Sequence, residues 1–437
     1  MTSKVLEKEV RYPDSEFKLD NTADLYAGVK TSRWSQMFGC SVTLSEEVDK
    51  AVLEQAVVHL LQRMPFIAHR LKAGFTWYRF APMDKPFCVV DNFNDLMKPL
   101  NWKETQGFLF RIRCHHCQII MEFFHALTDA GGSMTILLTL LREYLRLKYA
   151  IDIPTDQKIL DCDTVPQPGE YENAFIRYAR KESFKRLENE AAYYMGGPAL
   201  PQNSFVITAG RVPTGLLHDL ARQHHATVSE LLCSMLLLSF AHVQRAERNI
   251  RKRRQPVKAQ FTVDLRRYFP TPTLRNFSSY ALIGTAPGAE DCSLDDVIAR
   301  VHNTLKTEID EERLLSVFSG DVTLKHSFLV SNTPLMLKKP IMKFLFRRAL
   351  RRHFSTIISN LGVIDLPEEM SSYIERIEYL FGPTPLPATN MVITSYNNQT
   401  SLIFTRTTPN TDVERHFFDS LVKAGIPVQI ESIGSRD

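Results

Sequence analysis

The chain has 437 residues, 44% hydrophobic and 23% charged, with a formal net charge of +4. This composition excludes large-scale disorder, and the length exceeds what one ordinary hydrophobic core supports, so two domains are expected. No apolar run reaches the roughly 20 residues that cross a bilayer; the best, Leu231 to Val243, is broken by Cys233, Ser234, Ser239 and His242. Met1 to Glu9 carries no apolar region of the secretory-signal type. The seven cysteines (Cys40, Cys88, Cys114, Cys117, Cys162, Cys233 and Cys292) are odd in number and scattered. That usage suits a reducing compartment, and a cytoplasmic location is expected. The charge is uneven. Arg245 to Arg267 and Lys338 to Arg352 each sum to +7, leaving the remainder at −10. Two basic segments on an otherwise acidic chain suggest a local anionic partner.

In chain order, Ser45 is placed to cap a helix whose stripe is Val48, Val52, Ala56 and Leu60, stopped by Pro65. Strand-like pieces follow at 75–80 and 87–90, then two neighbouring strands at 107–114 and 117–124. Gly131-Gly132 and Ser133 open a helix with an apolar face through Ile136, Leu137, Leu140, Leu141, Tyr144, Leu145 and Tyr149. Residues 156–203 read as a connection, with loop chemistry at Asp163 to Gly169, a charged helical stretch at 172–192 and a break at Gly196-Gly197-Pro198. The division expected is therefore 1–155, 156–203 and 204–437. In the last part, a strand at 204–208 and a helix at 214–225 precede a capping box, Thr227-Val228-Ser229-Glu230, before an apolar helix. Strands at 259–265, 356–366, 390–396 and 401–407 and a helix at 414–423 complete the pattern. The order suggests two related α/β halves, although no sequence repeat is visible.

The most informative segment is Met121 to Gly132. An apolar run ends on His125; Asp129 follows four residues later, then Gly131 and Gly132. An imidazole of ordinary pKa, about 6.5, is mostly neutral and basic near pH 7. The alternative is a satisfied histidine at a strand end.

His125-Ala126-Leu127-Thr128-Asp129 resembles the H-x-x-x-D motif of the chloramphenicol-acetyltransferase-like acyltransferases. Other landmarks agree in order. Gln62-Arg63-Met64-Pro65-Phe66 resembles the R-x-P segment closing the first helix, and Gly74-Phe75-Thr76-Trp77 the small strand after it. Asp264-Leu265-Arg266, with Asn276 downstream, resembles the D-x-R strand of the second half. Ser359-Asn360-Leu361-Gly362 resembles the strand facing the histidine. The agreement spans roughly residues 10 to 420. It is most similar to the bacterial alcohol-acetyltransferase-like and polyketide-associated branches, with nonribosomal-peptide condensation domains as relatives. Two positions depart from the pattern. Phe124 stands where condensation domains carry a further histidine, and Ala130 stands where glycine commonly follows the aspartate. A turn needing positive φ at residue 130 would strain alanine.

The resemblance implies an α/β fold (an α+β sandwich) of two such domains, with the site at their interface. It implies His125 as general base and Asp129 as a structural carboxylate paired with Arg266; the plainer reading of Asp129 is a helix N-terminal acid. Ser359 and Asn360 could donate to a developing oxyanion, or could simply form a turn. The implied reaction moves an acyl group from coenzyme A, as co-substrate, to a small-molecule alcohol, with no tightly bound cofactor. A condensation-type enzyme fed by an acyl carrier protein is the alternative, and a non-catalytic binding protein a third reading. Lys338, Lys339, Arg347 and Arg348 are candidates for holding coenzyme A phosphates. The same segment, with Phe344-Leu345-Phe346, also resembles a helix lying on a membrane surface. No motif supports nucleic acid. Cys114-His115-His116-Cys117 invites a zinc reading, but alternate side chains of a strand face opposite sides, so no metal site is expected there.

Overall fold

The computed structural model describes residues 16–31, 36–93, 96–181, 190–201, 204–285, 291–383 and 388–434. Its strands are β1 (Phe17–Lys18), β2 (Met37–Leu44), β3 (His69–Ala73), β4 (Tyr78–Pro82), β5 (Phe110–His115), β6 (Gln118–Phe124) and β7 (Val206–Pro213). They continue as β8 (Lys258–Asp264), β9 (Ser278–Gly284), β10 (Thr356–Val363), β11 (Ile374–Phe381), β12 (Thr389–Tyr396), β13 (Gln399–Arg406) and β14 (Gln429–Gly434). They form a seven-stranded sheet in the order β14-β7-β13-β12-β10-β8-β9, a four-stranded sheet β11-β2-β6-β5 and a small sheet β1-β4-β3. In the large sheet β10 runs parallel to both β8 and β12, while its other pairs are antiparallel. The fold is thus mixed α/β, as the residue pattern implies.

Two main cores follow from the apolar faces. In the first, helices Lys50–Arg63 and Ala130–Tyr149 pack with β2, β5 and β6 through Leu53, Leu60, Leu137, Leu141 and their neighbours. In the second, helix Val228–Arg245 lies against the large sheet beside helix Asp412–Lys423. The Thr227–Glu230 capping box is formed in both directions.

Several boundaries differ from the expectation. The first helix is capped by Asp49, not Ser45: its carboxylate accepts from the amides of Ala51 and Val52 at 2.9 and 3.1 Å, leaving Val48 outside. The 87–90 piece reduces to one bridge, Val90 to Arg113, just after Pro86, which has no amide to donate. Cys114 to Cys117 is not one strand. β5 and β6 meet at a two-residue turn, with His116 at φ 48°, and both histidines are exposed. Within 172–192 the described helix is Ala174–Tyr178, and residues 182–189 lie outside the described residues.

One strand crosses the expected division between the halves. β11 lies in the expected second half, yet it pairs antiparallel with β2 of the first, from Ile374↔Leu44 to Phe381↔Phe38. Without it β2 would present an unpaired edge. Glu378 on β11 is buried and accepts from Arg211 of β7 at 2.7 Å and from Ser401 of β13 at 2.9 Å, so the crossing strand also ties the sheets together. The 156–203 connection is anchored too. Arg63 donates twice to Glu170, at 2.6 and 2.7 Å, and the Leu274 amide donates to the Glu170 carbonyl.

Candidate active site

β6 delivers His125 one residue past its end, where the His125 amide donates to the Gln36 carbonyl at 2.9 Å. The imidazole Nδ1 lies 3.1 Å from Asn276 Oδ1. The Asn276 amide nitrogen faces the Ala126 carbonyl at 3.4 Å, which turns its oxygen towards the ring. Nδ1 therefore carries the proton and Nε2 keeps a lone pair. Nε2 has no hydrogen-bond partner among the described residues. Tyr26, from helix Asn21–Val29, stacks on the ring with centroids 4.3 Å apart, and Phe38 of β2 lies at 4.8 Å. Burial holds the His125 pKa below its ordinary 6.5, against a hydrogen bond to its own backbone, the charge of Asp129 and the Asn276 bond. The ring is thereby kept neutral at neutral pH.

Asp129 is used in the opposite way. Its carboxylate accepts from the Gly132 amide at 3.0 Å and the Phe277 amide at 2.7 Å, and from Arg266 at 3.0 and 3.1 Å. It is at once the N-cap of helix Ala130–Tyr149 and the partner of an arginine 137 residues away. Arg266 spends all five donors: two on Asp129, one on Asp264, and one each on the Thr273 and Arg275 carbonyls. Burial alone would raise the Asp129 pKa, but the Arg266 charge and these bonds hold the carboxyl below its usual range. No bond joins Asp129 to His125, so the carboxylate fixes the turn without orienting the ring.

The glycines make this turn possible. A Cβ on Gly132 would stand 2.1 Å from the Leu274 carbonyl oxygen and 2.3 Å from Thr128 Oγ1, and one on Gly131 would stand 2.9 Å from Arg266 Nη1. Ala130 is the first helical residue and has no positive φ, so alanine there carries no strain. Phe124 is buried in the first core and does not line the site.

His125 opens into a cavity of about 1010 Å³ between the two halves. One wall is Phe38, Met134 and Leu138; the opposite wall is Phe261, Thr262 and the Ser359–Ile364 stretch. Ser359 lines the cavity, and its oxygen accepts from Thr262 Oγ1 at 2.8 Å, which leaves its own hydroxyl proton free to donate. Asn360 also lines the cavity, but its side chain is committed. It donates to Ser229 Oγ at 2.7 Å and accepts from the Gly362 amide at 2.8 Å, where β10 bulges and Gly362 takes φ 76°. Lys338, Lys339, Arg347 and Arg348 do not line the cavity. Lys338 donates to the Thr76 carbonyl and sits 3.4 Å from the Trp77 ring centroid; Lys339 lies over Tyr78. The cations that do line the cavity include the exposed Lys158, Arg177 and Arg267, with Arg177 paired to Glu172. Among the described residues no group of three or more His, Cys, Asp or Glu could hold a metal ion.

Sequence reading supplied no role for Tyr26 or Asn276. Asn276 was visible only as a landmark downstream of Arg266. Tyr26 sits on a helix that the sequence reading does not include; its one signal is Asp20, which caps it by accepting from the Ala23 amide at 2.7 Å.

This arrangement of two halves, a crossing strand and an interfacial histidine is the chloramphenicol-acetyltransferase-like fold. Solved structures agree over nearly the whole chain. Polyketide synthase associated protein 5 from Mycobacterium tuberculosis superposes with TM-score 0.65 at 14% identity, over 94% of this chain and 98% of that one. F. graminearum TRI101, complexed with coenzyme A and deoxynivalenol, gives 0.63 at 14%, over 95% and 99%. TRI3 trichothecene 15-O-acetyltransferase from Fusarium sporotrichioides gives 0.61 at 11%, over 97% and 98%. No protein-family model matches the chain, and no curated protein sequence matches it.

Proposed function

We propose that this protein is an acyltransferase that moves an acyl group from a coenzyme A thioester to an alcohol, with His125 as general base. The observation that carries the reading is a neutral imidazole with a bonded Nδ1 and an unpartnered Nε2 in a large cavity between the halves. The likeness to a coenzyme A complex of TRI101 and to a 15-O-acetyltransferase supports the donor and the oxygen acceptor.

In this mechanism Nε2 takes the proton of the acceptor hydroxyl as its oxygen attacks the thioester carbonyl. Negative charge collects on the former carbonyl oxygen, where the Ser359 hydroxyl is the donor that supports it. The intermediate collapses to the ester, and the departing thiolate takes the proton back from the His125 imidazolium. Asp129 and Arg266 hold the turn, and Asn276 holds the tautomer. Lys158 and Arg267, not the 338–348 segment, are assigned to the donor's phosphates. The apolar walls hold the acyl chain and the body of the acceptor.

The test is thiol release from a series of acyl-coenzyme A donors with and without a panel of alcohols. Acceptor-dependent release is expected, with a raised donor KM in Lys158→Ala/Arg267→Ala. Release only from acyl carrier-protein thioesters would replace the donor in this reading. No release from either, with tight acyl-coenzyme A binding, would make the protein a binder.

A further inference from the structure

Helix Leu335–His353 is amphipathic with its faces reversed. Its inner side seats Leu335, Met342 and Lys338, whose ammonium is spent on the Thr76 carbonyl and the Trp77 ring, leaving the residue only 5% exposed. Gly28 of the helix below lets Met342 approach; a Cβ there would lie 2.7 Å from the methionine methyl. The outer side carries Leu337, Ile341, Phe344 and Leu345, at 62%, 56%, 66% and 56% exposure. Their spacing (four, three and one) places them on one stripe of the helix. Met336 is more exposed still, and the preceding short helix Phe328–Asn332 exposes Phe328 and Leu329. Phe75 is also exposed and is held to the start of the helix, its carbonyl accepting from the Leu335 amide at 2.8 Å.

The Thr76 carbonyl and the Trp77 ring account for the lysine turned inward, but packing does not account for four large apolar side chains turned outward. A helix on the surface of a water-soluble protein normally does the reverse. The charge pattern says what the outer face meets. Apart from the inward Lys338, residues 335–353 hold six Lys or Arg and no Asp or Glu. Arg347 stands beside the apolar stripe and Arg348 at its end, with Lys343 on the neighbouring flank. An apolar ridge bordered by cations matches the interface of an anionic bilayer, where rings and aliphatic chains enter the acyl boundary and cations meet the headgroups. Among the described residues no single helix is long and apolar enough to cross a membrane. We propose that helix Leu335–His353, with Phe75 and Phe328-Leu329, is a docking surface for a negatively charged lipid bilayer, bound peripherally.

The experiment is co-sedimentation of the full chain with vesicles of phosphatidylcholine alone and of phosphatidylcholine mixed with phosphatidylserine. The wild type is expected to pellet with the mixed vesicles and far less with the neutral ones. Raising salt from about 0.1 M to about 1 M, which shortens the screening length from about 10 to 3 Å, should weaken it. Phe344→Asp/Leu345→Asp should lose at least about tenfold in partitioning, and Lys343→Glu should lose less, both with unchanged soluble turnover and melting. Phe344→Trp gives a readout independent of any folding defect: its emission should shift to the blue when mixed vesicles are added. Absence of binding to mixed vesicles, or equal binding by the double variant, would overturn the proposal. So would a wild-type dimer in light scattering that the double variant turns into a monomer, because a second copy would then be what covers the face.

Discussion

His125 and Asp129 lie four residues apart on one turn, yet the protein treats them in opposite ways. Asp129 is closed: four donors surround its carboxylate, two of them from an arginine that itself has no donor to spare. His125 is left half open: one nitrogen is bonded and the other faces the cavity side without a partner among the described residues. The difference separates the residue that builds the site from the residue that acts in it. A motif read as one unit thus contains a rigid half and a reactive half.

The comparison can be broken at the rigid end first. Asp129→Ala leaves the Arg266 guanidinium with Asp264 as its one remaining carboxylate among its named partners, and removing one member of a buried pair typically costs about 3–5 kcal/mol. Denaturant unfolding should show that loss, with activity falling because the turn behind His125 relaxes. Since the folded Asp129 carboxyl titrates below 3.8, its stabilising share is complete above that pH and disappears as pH falls through the folded value. Wild-type stability in the variant would show that the pair is not holding the turn.

Ser359→Ala probes the other side of the cavity. If the hydroxyl supports the oxyanion, turnover should fall by about 10²–10³ with little change in donor KM, since oxyanion-hole donors act mainly in the transition state. A rise in KM alone would place Ser359 in binding. Gly132→Ala should destabilise by about 1–3 kcal/mol through overpacking against the Leu274 carbonyl. A melting temperature equal to wild type would mean that the turn has room the geometry denies it.

The smallest effect expected is on the pH profile. The His125 pKa is depressed by burial, so kcat/KM should be flat at neutral pH and fall only on the acid side, with its midpoint below 6.5. The Asn276 bond raises that pKa, so Asn276→Ala should move the acid limb further down and lower the plateau as the tautomer is freed. An acid limb above 6.5 in the wild type would contradict the environment described.

Much of this was legible in the residues. His125, Asp129 and Arg266 stood out because a motif and its distant partner each have a fixed spelling, and the Thr227 capping box has one too. The α/β character follows from the order of apolar periods, and the fold of two acyltransferase-like domains from the resemblance carried by the motifs. What was not legible depends on neighbours distant in sequence. β11 reads as part of the second half until the unpaired edge of β2 is known. Asn360 reads as an oxyanion donor or a turn residue, and the sequence does not announce that its amide bonds to Ser229 and to the Gly362 amide. The charge of the 338–348 segment suits coenzyme A phosphates or a membrane surface. A run of cations does not say which side of a helix faces inward, and here Lys338 does. Of the cations that do reach the cavity, Arg267 closes the basic run that begins at Arg245, whereas Lys158 lies in neither basic segment.

The account rests most directly on His125 as a base that carries no structural load. Turnover and unfolding should therefore be measured together on His125→Ala, with the best acyl donor and alcohol found for the wild type. The account predicts a rate lower by about 10²–10⁴, the usual cost of losing a general base, with a near wild-type unfolding transition. A well-folded variant that turns over like the wild type would contradict it.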